Sequence, residues 1–341
     1  KKYVHFAVSS KELSPRVLKL LGFFVERFMN LVQQLAKHLK KNESDVIRFL
    51  VDAPNKYRVY KIPKRSHGHR VIAQPTKELK EYQRAFISIF KFPVHHSAMA
   101  YCEGKSIKEN ALAHVENSYL LKTDFENFFN SITPAIFWQS IEHCRVDAPI
   151  FTAQERKLVE KLIFWCPSKE KNGKLVLSVG APTSPTISNF CLYEFDNLIS
   201  NACNAQQITY TRYADDLTFS TNKRDILCTI VSSIQQLLLT IFSHHIKLNY
   251  SKTAFSSRAH NRHVTGITIS NESKLSLGRE RKRYIKHLIN QFKYNLLDDS
   301  DIRHLQGLLA FAQHIEPVFI SRLKTKYTNE LIQRIYEASH D

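Results

Sequence analysis

The stretch that decides the fold is Ile208-Thr209-Tyr210-Thr211-Arg212-Tyr213-Ala214-Asp215-Asp216-Leu217-Thr218-Phe219-Ser220. Apolar and aromatic residues alternate on both sides of an Asp-Asp pair, the period-two pattern of strands, and the pattern predicts a β-hairpin with two carboxylates at its tip. Adjacent aspartates are ordinary in turns, where their side chains bond the local backbone. Between two apolar strands, however, like charges repel unless a cation neutralises them.

Upstream, Ser118-Tyr119-Leu120-Leu121-Lys122-Thr123-Asp124 reads as a partly buried strand. Phe125, Phe128, Phe129 and Ile132 then recur at i, i+3, i+4 and i+7, which predicts a helix packed on a core. On local grounds alone, Asp124 at that junction reads as a helix N-cap. Taken with Asp215 and Asp216 it makes a third carboxylate, enough oxygen ligands for two Mg²⁺ ions. Such a pair of ions lowers the barrier to in-line attack on a phosphate.

Further out, Val59, Lys61 and Ile62, then Arg70, Val71 and Ile72, predict two short strands around a Ser66-His67-Gly68 turn. Residues 76–91 return to helical spacing, and the first 50 residues read as helical, Val17 to Leu39 as an amphipathic helix. Residues 141–174 are mixed and mostly helical, and the chain is helical again beyond Arg279. The class this implies is α+β.

Charge narrows the function. The 341 residues carry 49 Lys and Arg against 31 Asp and Glu, a formal +18, while 43% of residues are hydrophobic and 11% aromatic. A folded chain with that surplus points to an anionic partner, nucleic acid before a membrane surface, and is not a disordered basic tail. The surplus is concentrated at residues 56–91 and 258–286, as for a protein that grips a polyanion from two sides. The bland alternative is a pair of solvated faces. Six scattered cysteines show no Cys-x-x-Cys pair, which leaves reduced thiols in a cytoplasmic protein as the simplest expectation. No apolar run reaches bilayer-spanning length, and no membrane partner is expected.

Tyr213-Ala214-Asp215-Asp216 resembles the Tyr-x-Asp-Asp signature of reverse transcriptases, and Asp124-Phe125 resembles their first acidic motif. Gly180-Ala181-Pro182-Thr183-Ser184-Pro185 is similar to the loop before a palm helix of that family, with Ser184 expected as N-cap and Pro185 as first helical residue. Asn110-Ala111-Leu112-Ala113-His114 and Val264-Thr265-Gly266 resemble the Asn-Ala-x-x-His and Val-Thr-Gly motifs of bacterial retron reverse transcriptases. Locally, Val264-Thr265-Gly266 reads as strand, with Gly266 allowing close backbone approach.

The resemblance implies a right-hand polymerase fold: N-terminal helices and fingers over 1–115, palm over 116–260 with a fingers insertion around 140–180, and thumb over 261–341. It implies an RNA-directed DNA polymerase using two Mg²⁺ ions and dNTPs. Its template would be a structured non-coding RNA, its product branched multicopy single-stranded DNA, and its setting antiphage defence with an effector protein. Residue by residue, Asp124, Asp215 and Asp216 with the Phe125 carbonyl would hold the metals. Arg70, Phe129 and Lys252 would meet the nucleotide; Phe129 reads equally well as core packing, and Lys64 and Arg65 are weaker nucleotide candidates. Asn110, His114, Val264, Thr265, Gly266, Arg279, Arg281, Lys282 and Arg283 would meet RNA, although Asn110 and His114 also suit a structural role. One departure is Val179, which stands where many reverse transcriptases carry Gln and cannot make that residue's hydrogen bond. About 75 residues follow Val264-Thr265-Gly266, room for a thumb and no maturase domain. Two other readings stay open: a group II intron-like reverse transcriptase, and a basic RNA-binding scaffold or antitoxin with a vestigial site.

Overall fold

The structure, a computed structural model, describes residues 30–63, 68–144, 147–170 and 172–338. The residues before 30, with most of the predicted Val17–Leu39 helix, lie outside it, as do Lys64, Arg65 and the Ser66-His67 part of the predicted turn. The chain divides into two compact units. One comprises the described residues up to Val94 together with Asn127–Glu194; the other comprises His95–Glu126 and the chain from Phe195 onward.

The first unit is mostly helical. Helices Leu31–Leu39 and Glu43–Val51 lead into an antiparallel hairpin of β1 (Tyr57–Pro63) and β2 (His69–Pro75), paired from Tyr57↔Pro75 to Pro63↔His69. Helix Lys77–Ile89 follows, its start fixed by Thr76, whose side chain accepts from the Leu79 N–H at 3.3 Å. The core is aromatic. Phe92 packs on Phe190 and Phe137 with ring centroids 5.1 and 5.9 Å apart, and Phe86 and Phe90 join through Phe151. Thr152 and Glu155 form a capping box at helix Ala153–Ile163, and the other Glu155 oxygen accepts from the Leu31 N–H at 2.6 Å.

The predicted helix from Phe125 does not form. Its residues are divided: Phe125 bridges Leu248 as a strand residue, Asn127 is left-handed at φ 47°, and only Phe128–Ser131 are helical. The apolar spacing is real, because Phe125, Phe128 and Ile132 are all buried; it serves an irregular turn. Asp124 therefore caps no helix. The loop expectation at Ser184 also shifts. That helix runs Thr183–Cys191, with Pro182 at the cap position and Pro185 inside the first turn, where a missing N–H costs nothing.

The second unit holds a four-stranded antiparallel sheet of β3 (Tyr119–Asp124), β4 (Thr209–Tyr213), β5 (Asp216–Thr221) and β6 (Ala254–Ser257), in the order β4-β5-β3-β6. A second, three-stranded sheet joins β7 (Arg262–Val264), β8 (Ile267–Ile269) and β9 (Leu275–Ser276). Four helices, Arg279–Lys293, Asp299–Ile315, Pro317–Tyr327 and Asn329–Glu337, close one apolar core over Val264 and Ile267. No described helix is long and apolar enough to cross a membrane. All six cysteines are free thiols.

Candidate active site

The predicted hairpin forms as read. β4 and β5 pair from Thr209↔Ser220 to Tyr213↔Asp216, leaving Ala214 and Asp215 as a two-residue turn. Ala214 takes φ 57°, a left-handed conformation that costs a residue bearing a Cβ about 1–2 kcal/mol. On the other flank β5 pairs with β3 in a register that sets Asp124 directly opposite Asp216. Opposed residues of an antiparallel pair share one face of the sheet, so two like charges meet there. The Phe125 N–H donates to the Asp215 carbonyl at 3.1 Å, locking the turn to the end of β3.

Beyond Asp124 the chain runs beside residues 247–249. Glu126 N–H donates to the Lys247 carbonyl at 2.8 Å, and Asn249 N–H donates to the Asp124 carbonyl at 2.7 Å. A single 3₁₀ turn, Tyr250–Lys252, then carries the Lys252 ammonium onto the Asp124 carboxylate. Asp124 is 4% exposed, so this partner matters to it. Asp216 lies at the sheet surface with its carboxyl crowded by protein atoms. That burial, then the charges of Asp215 and Asp124, push its pKa up to about 6, while Lys252 and Lys122 oppose the rise. Burial works against the Lys252 ammonium, but the Asp124 hydrogen bond and the three carboxylate charges outweigh it and raise its pKa. Among the described residues, no three His, Cys, Asp or Glu side chains form a ready metal cage.

Behind the acids lies a buried polar cluster. His114 is wholly buried, its Nδ1 2.6 Å from the Ser220 hydroxyl and its Nε2 2.8 Å from the Thr211 hydroxyl. Thr211 donates to Asn110 Oδ1 at 2.6 Å, so it must accept from His114 Nε2–H. Asn117 Nδ2 donates to Ser220 Oγ at 2.8 Å, which leaves the Ser220 hydrogen for His114 Nδ1. Asn110 Nδ2 in turn donates to Thr265 Oγ1 at 3.4 Å. The bonds fix one neutral tautomer of His114, and burial brings its pKa down to about 3. The two motifs singled out in sequence thus meet in one interior network. A side chain without exposed surface offers nothing to RNA, so the expected RNA contacts at Asn110, His114 and Val264 give way to structural roles.

Thr265 and Gly266, at φ 46° and 79°, form the turn between β7 and β8. The strand expectation there is corrected for all but Val264. Positive φ explains the glycine, since nothing lies within 4 Å of where its Cβ would be.

The remaining candidates lie on other elements. Arg70 is exposed on β2 opposite Ile62, and Phe129 is half-buried with its ring 5.3 Å from Phe128. Val179 offers its carbonyl to the Ala73 N–H of β2 at 3.2 Å. On helix Arg279–Lys293, Arg279 and Arg283 are exposed. Lys282 is drawn into an ion pair with Glu316 at 2.6 Å, and Arg281 lies over the Phe311 ring and donates to the Gly266 carbonyl. Lys282 is therefore occupied internally.

Sequence reasoning missed Asp196 and the importance of Arg212. Both are fully buried: Arg212 Nη2 and Nε reach Asp196 at 2.6 and 2.9 Å, Tyr210 O–H donates to the same carboxylate at 2.7 Å, and Arg212 Nη1 donates to the Ala214 carbonyl at 3.0 Å. The single charged residue of an otherwise uncharged strand was the available signal, since a buried guanidinium demands a buried acid.

Residues 62–269 match the family model for reverse transcriptase (RNA-dependent DNA polymerase). The chain is 49% identical over 285 residues to the retron Ec83 reverse transcriptase of Escherichia coli, covering 83% of this chain and 90% of that one. It is 30% identical over 313 residues to the retron Ec73 reverse transcriptase of Escherichia coli, covering 89% and 96%. Among solved structures it is similar to a foamy viral protease-reverse transcriptase in complex with double-stranded DNA, at TM-score 0.41 and 15% identity. It covers 84% of this chain and spans 44% of that one. A second is telomerase from Candida albicans, at TM-score 0.45 and 13% identity, covering 83% of this chain and 57% of that one. An Asp-Asp turn facing a third aspartate across an antiparallel pair, in a chain so similar to two retron enzymes, leads to one assignment: the protein belongs to the reverse transcriptase family, as a retron reverse transcriptase and RNA-directed DNA polymerase.

Proposed function

We propose that this polymerase copies a structured non-coding RNA into branched multicopy single-stranded DNA, starting from the 2′-hydroxyl of a guanosine in that RNA. Its setting is cytoplasmic antiphage defence, alongside an effector protein. The reading rests on the register that sets Asp124 against Asp216 beside the Asp215 turn. Three carboxylates at one end of a sheet, one with its pKa raised by burial and then by the charges of the other two, favour a bound cation over mutual repulsion. The donors are all oxygen, which suits Mg²⁺. Asp124, Asp215 and Asp216, with the Phe125 carbonyl, would hold two such ions, which supply activation of the attacking hydroxyl and stabilisation of the leaving pyrophosphate oxygen.

The protein's own groups do the rest. Lys252 keeps its proton at neutral pH and sets a positive charge beside the acids, suited to a triphosphate. Arg70 has the planar fork that clamps two phosphate oxygens, and Phe129 the bulk to select against a 2′-hydroxyl. Fingers over 1–115, palm over 116–260 and thumb over 261–341 divide this work. Exposed Arg279 and Arg283 grip RNA phosphates.

Primer extension on RNA with Mg²⁺ and dNTPs tests the reading. Product from the wild type and none from Asp215→Ala supports it; equal product from both removes Asp215 from its role. Replacing Arg279 and Arg283 with Ala should flatten the slope of log K against log[salt] by about 1.4. Sequencing the nucleic acid that copurifies with the protein identifies the template and any branch.

A further inference from the structure

We propose that Arg212 is a positioning residue for catalysis: anchored on Asp196, it holds the Ala214 carbonyl and thereby the left-handed turn that aims Asp215. This rests on the polymerase reading and adds a part to it. The turn is conformationally costly at Ala214, and such a backbone persists only where its surroundings over-determine it. Two features do so here. The Phe125 N–H holds the Asp215 carbonyl, and Arg212 Nη1 holds the Ala214 carbonyl one residue earlier. Arg212 is itself immobile: 0% exposed, bound through Nε and Nη2 to a carboxylate that is also 0% exposed. Tyr210, two residues back on the same face of β4, ties a third donor to that carboxylate. The strand backbone around Arg212 is pinned as well, its N–H donating to the Ser97 carbonyl and its carbonyl accepting from the Met99 N–H, each at 2.8 Å.

A guanidinium can span a carboxylate and a carbonyl at once; an ammonium is a point charge and cannot reproduce that fork. The informative variants are therefore Arg212→Lys, which keeps the charge opposite Asp196, and Arg212→Lys with Ala214→Gly. Glycine adopts positive φ without strain, so it makes the turn less dependent on its clamp. Primer extension at saturating RNA, Mn²⁺ binding followed by electron paramagnetic resonance, and Tm are measured together.

Arg212→Lys should lower kcat at least tenfold with KM for dNTP within about twofold, and weaken Mn²⁺ binding several-fold. Adding Ala214→Gly should restore at least threefold in both. Loss of activity that follows only the unfolded fraction, or that Ala214→Gly does not relieve, overturns the proposal, as does wild-type kcat in Arg212→Lys. Asp215→Asn separates the two levels. If the wild type is active and Asp215→Asn is dead while Arg212→Lys runs at full rate, the positioning role fails alone. If Asp215→Asn matches the wild type, the active-site reading fails and the positioning role with it.

Discussion

The acidic end of the sheet and the polar cluster behind it are built on opposite terms. At the end, Asp124 faces Asp216 across the ladder, Ala214 is bent left-handed, and the Asp216 carboxyl is held up at about 6. In the cluster, the bonds of His114, Thr211, Ser220 and Asn110 run in one consistent donor order among neutral groups. One region keeps charge crowded where a substrate can reach it; the other satisfies every hydroxyl where nothing can. β4 and β5 carry parts of both, Thr211 and Ser220 in the cluster and the Asp215-Asp216 turn at the acidic end.

Substitutions should separate the regions sharply. Asp216→Asn removes a carboxylate proposed to hold the metals, so primer extension should fall about a thousandfold, several kcal/mol of lost transition-state stabilisation, while the loss of a repelling charge leaves Tm level or raises it. A falling Tm would mean that Asp216 belongs to the stabilising part. His114→Ala should do the reverse. Leaving Ser220 and Thr211 without their partner should cost about 2–3 kcal/mol in denaturant unfolding, with kcat of the folded protein changed only a few-fold.

Acid offers a gentler probe of the cluster. His114 titrates near 6.5 when unfolded and near 3 when folded. Between those values the unfolded chain binds a proton that the folded chain refuses, so this stabilisation is whole above pH 6.5 and drains away as pH falls. From pH 7 to pH 5 the loss should be about 2 kcal/mol, and His114→Gln should abolish that part of the pH dependence. Smallest is Gly266→Ala in the turn beside Thr265, with a stability cost of about 1 kcal/mol from positive φ alone. A larger loss would show that the turn contributes packing as well.

Strands β1 to β5 were legible in sequence because alternation is a local signal, and so were the three aspartates at their ends, whereas β6, β8 and β9 were not read. Non-local geometry was not. The helix expected from Phe125 was defeated by a left-handed Asn127 and by pairing of Phe125 with Leu248, far along the chain. Asn110 and His114 were visible as a motif, yet their partners Thr211 and Ser220 lie about a hundred residues away, so burial could not be foreseen. Arg212 sat within the decisive stretch itself, and only the fold revealed Asp196 as its counter-ion.

β4 distributes its work by odd and even positions. Tyr210 and Arg212 turn to Asp196, while Thr209 and Thr211 turn to Asn117, Asn110 and His114. Adding or deleting one residue between Thr209 and Tyr213 would exchange the two sets, burying a guanidinium among neutral amides and hydroxyls and stranding a carboxylate against threonine. The two faces of this segment therefore fix its length.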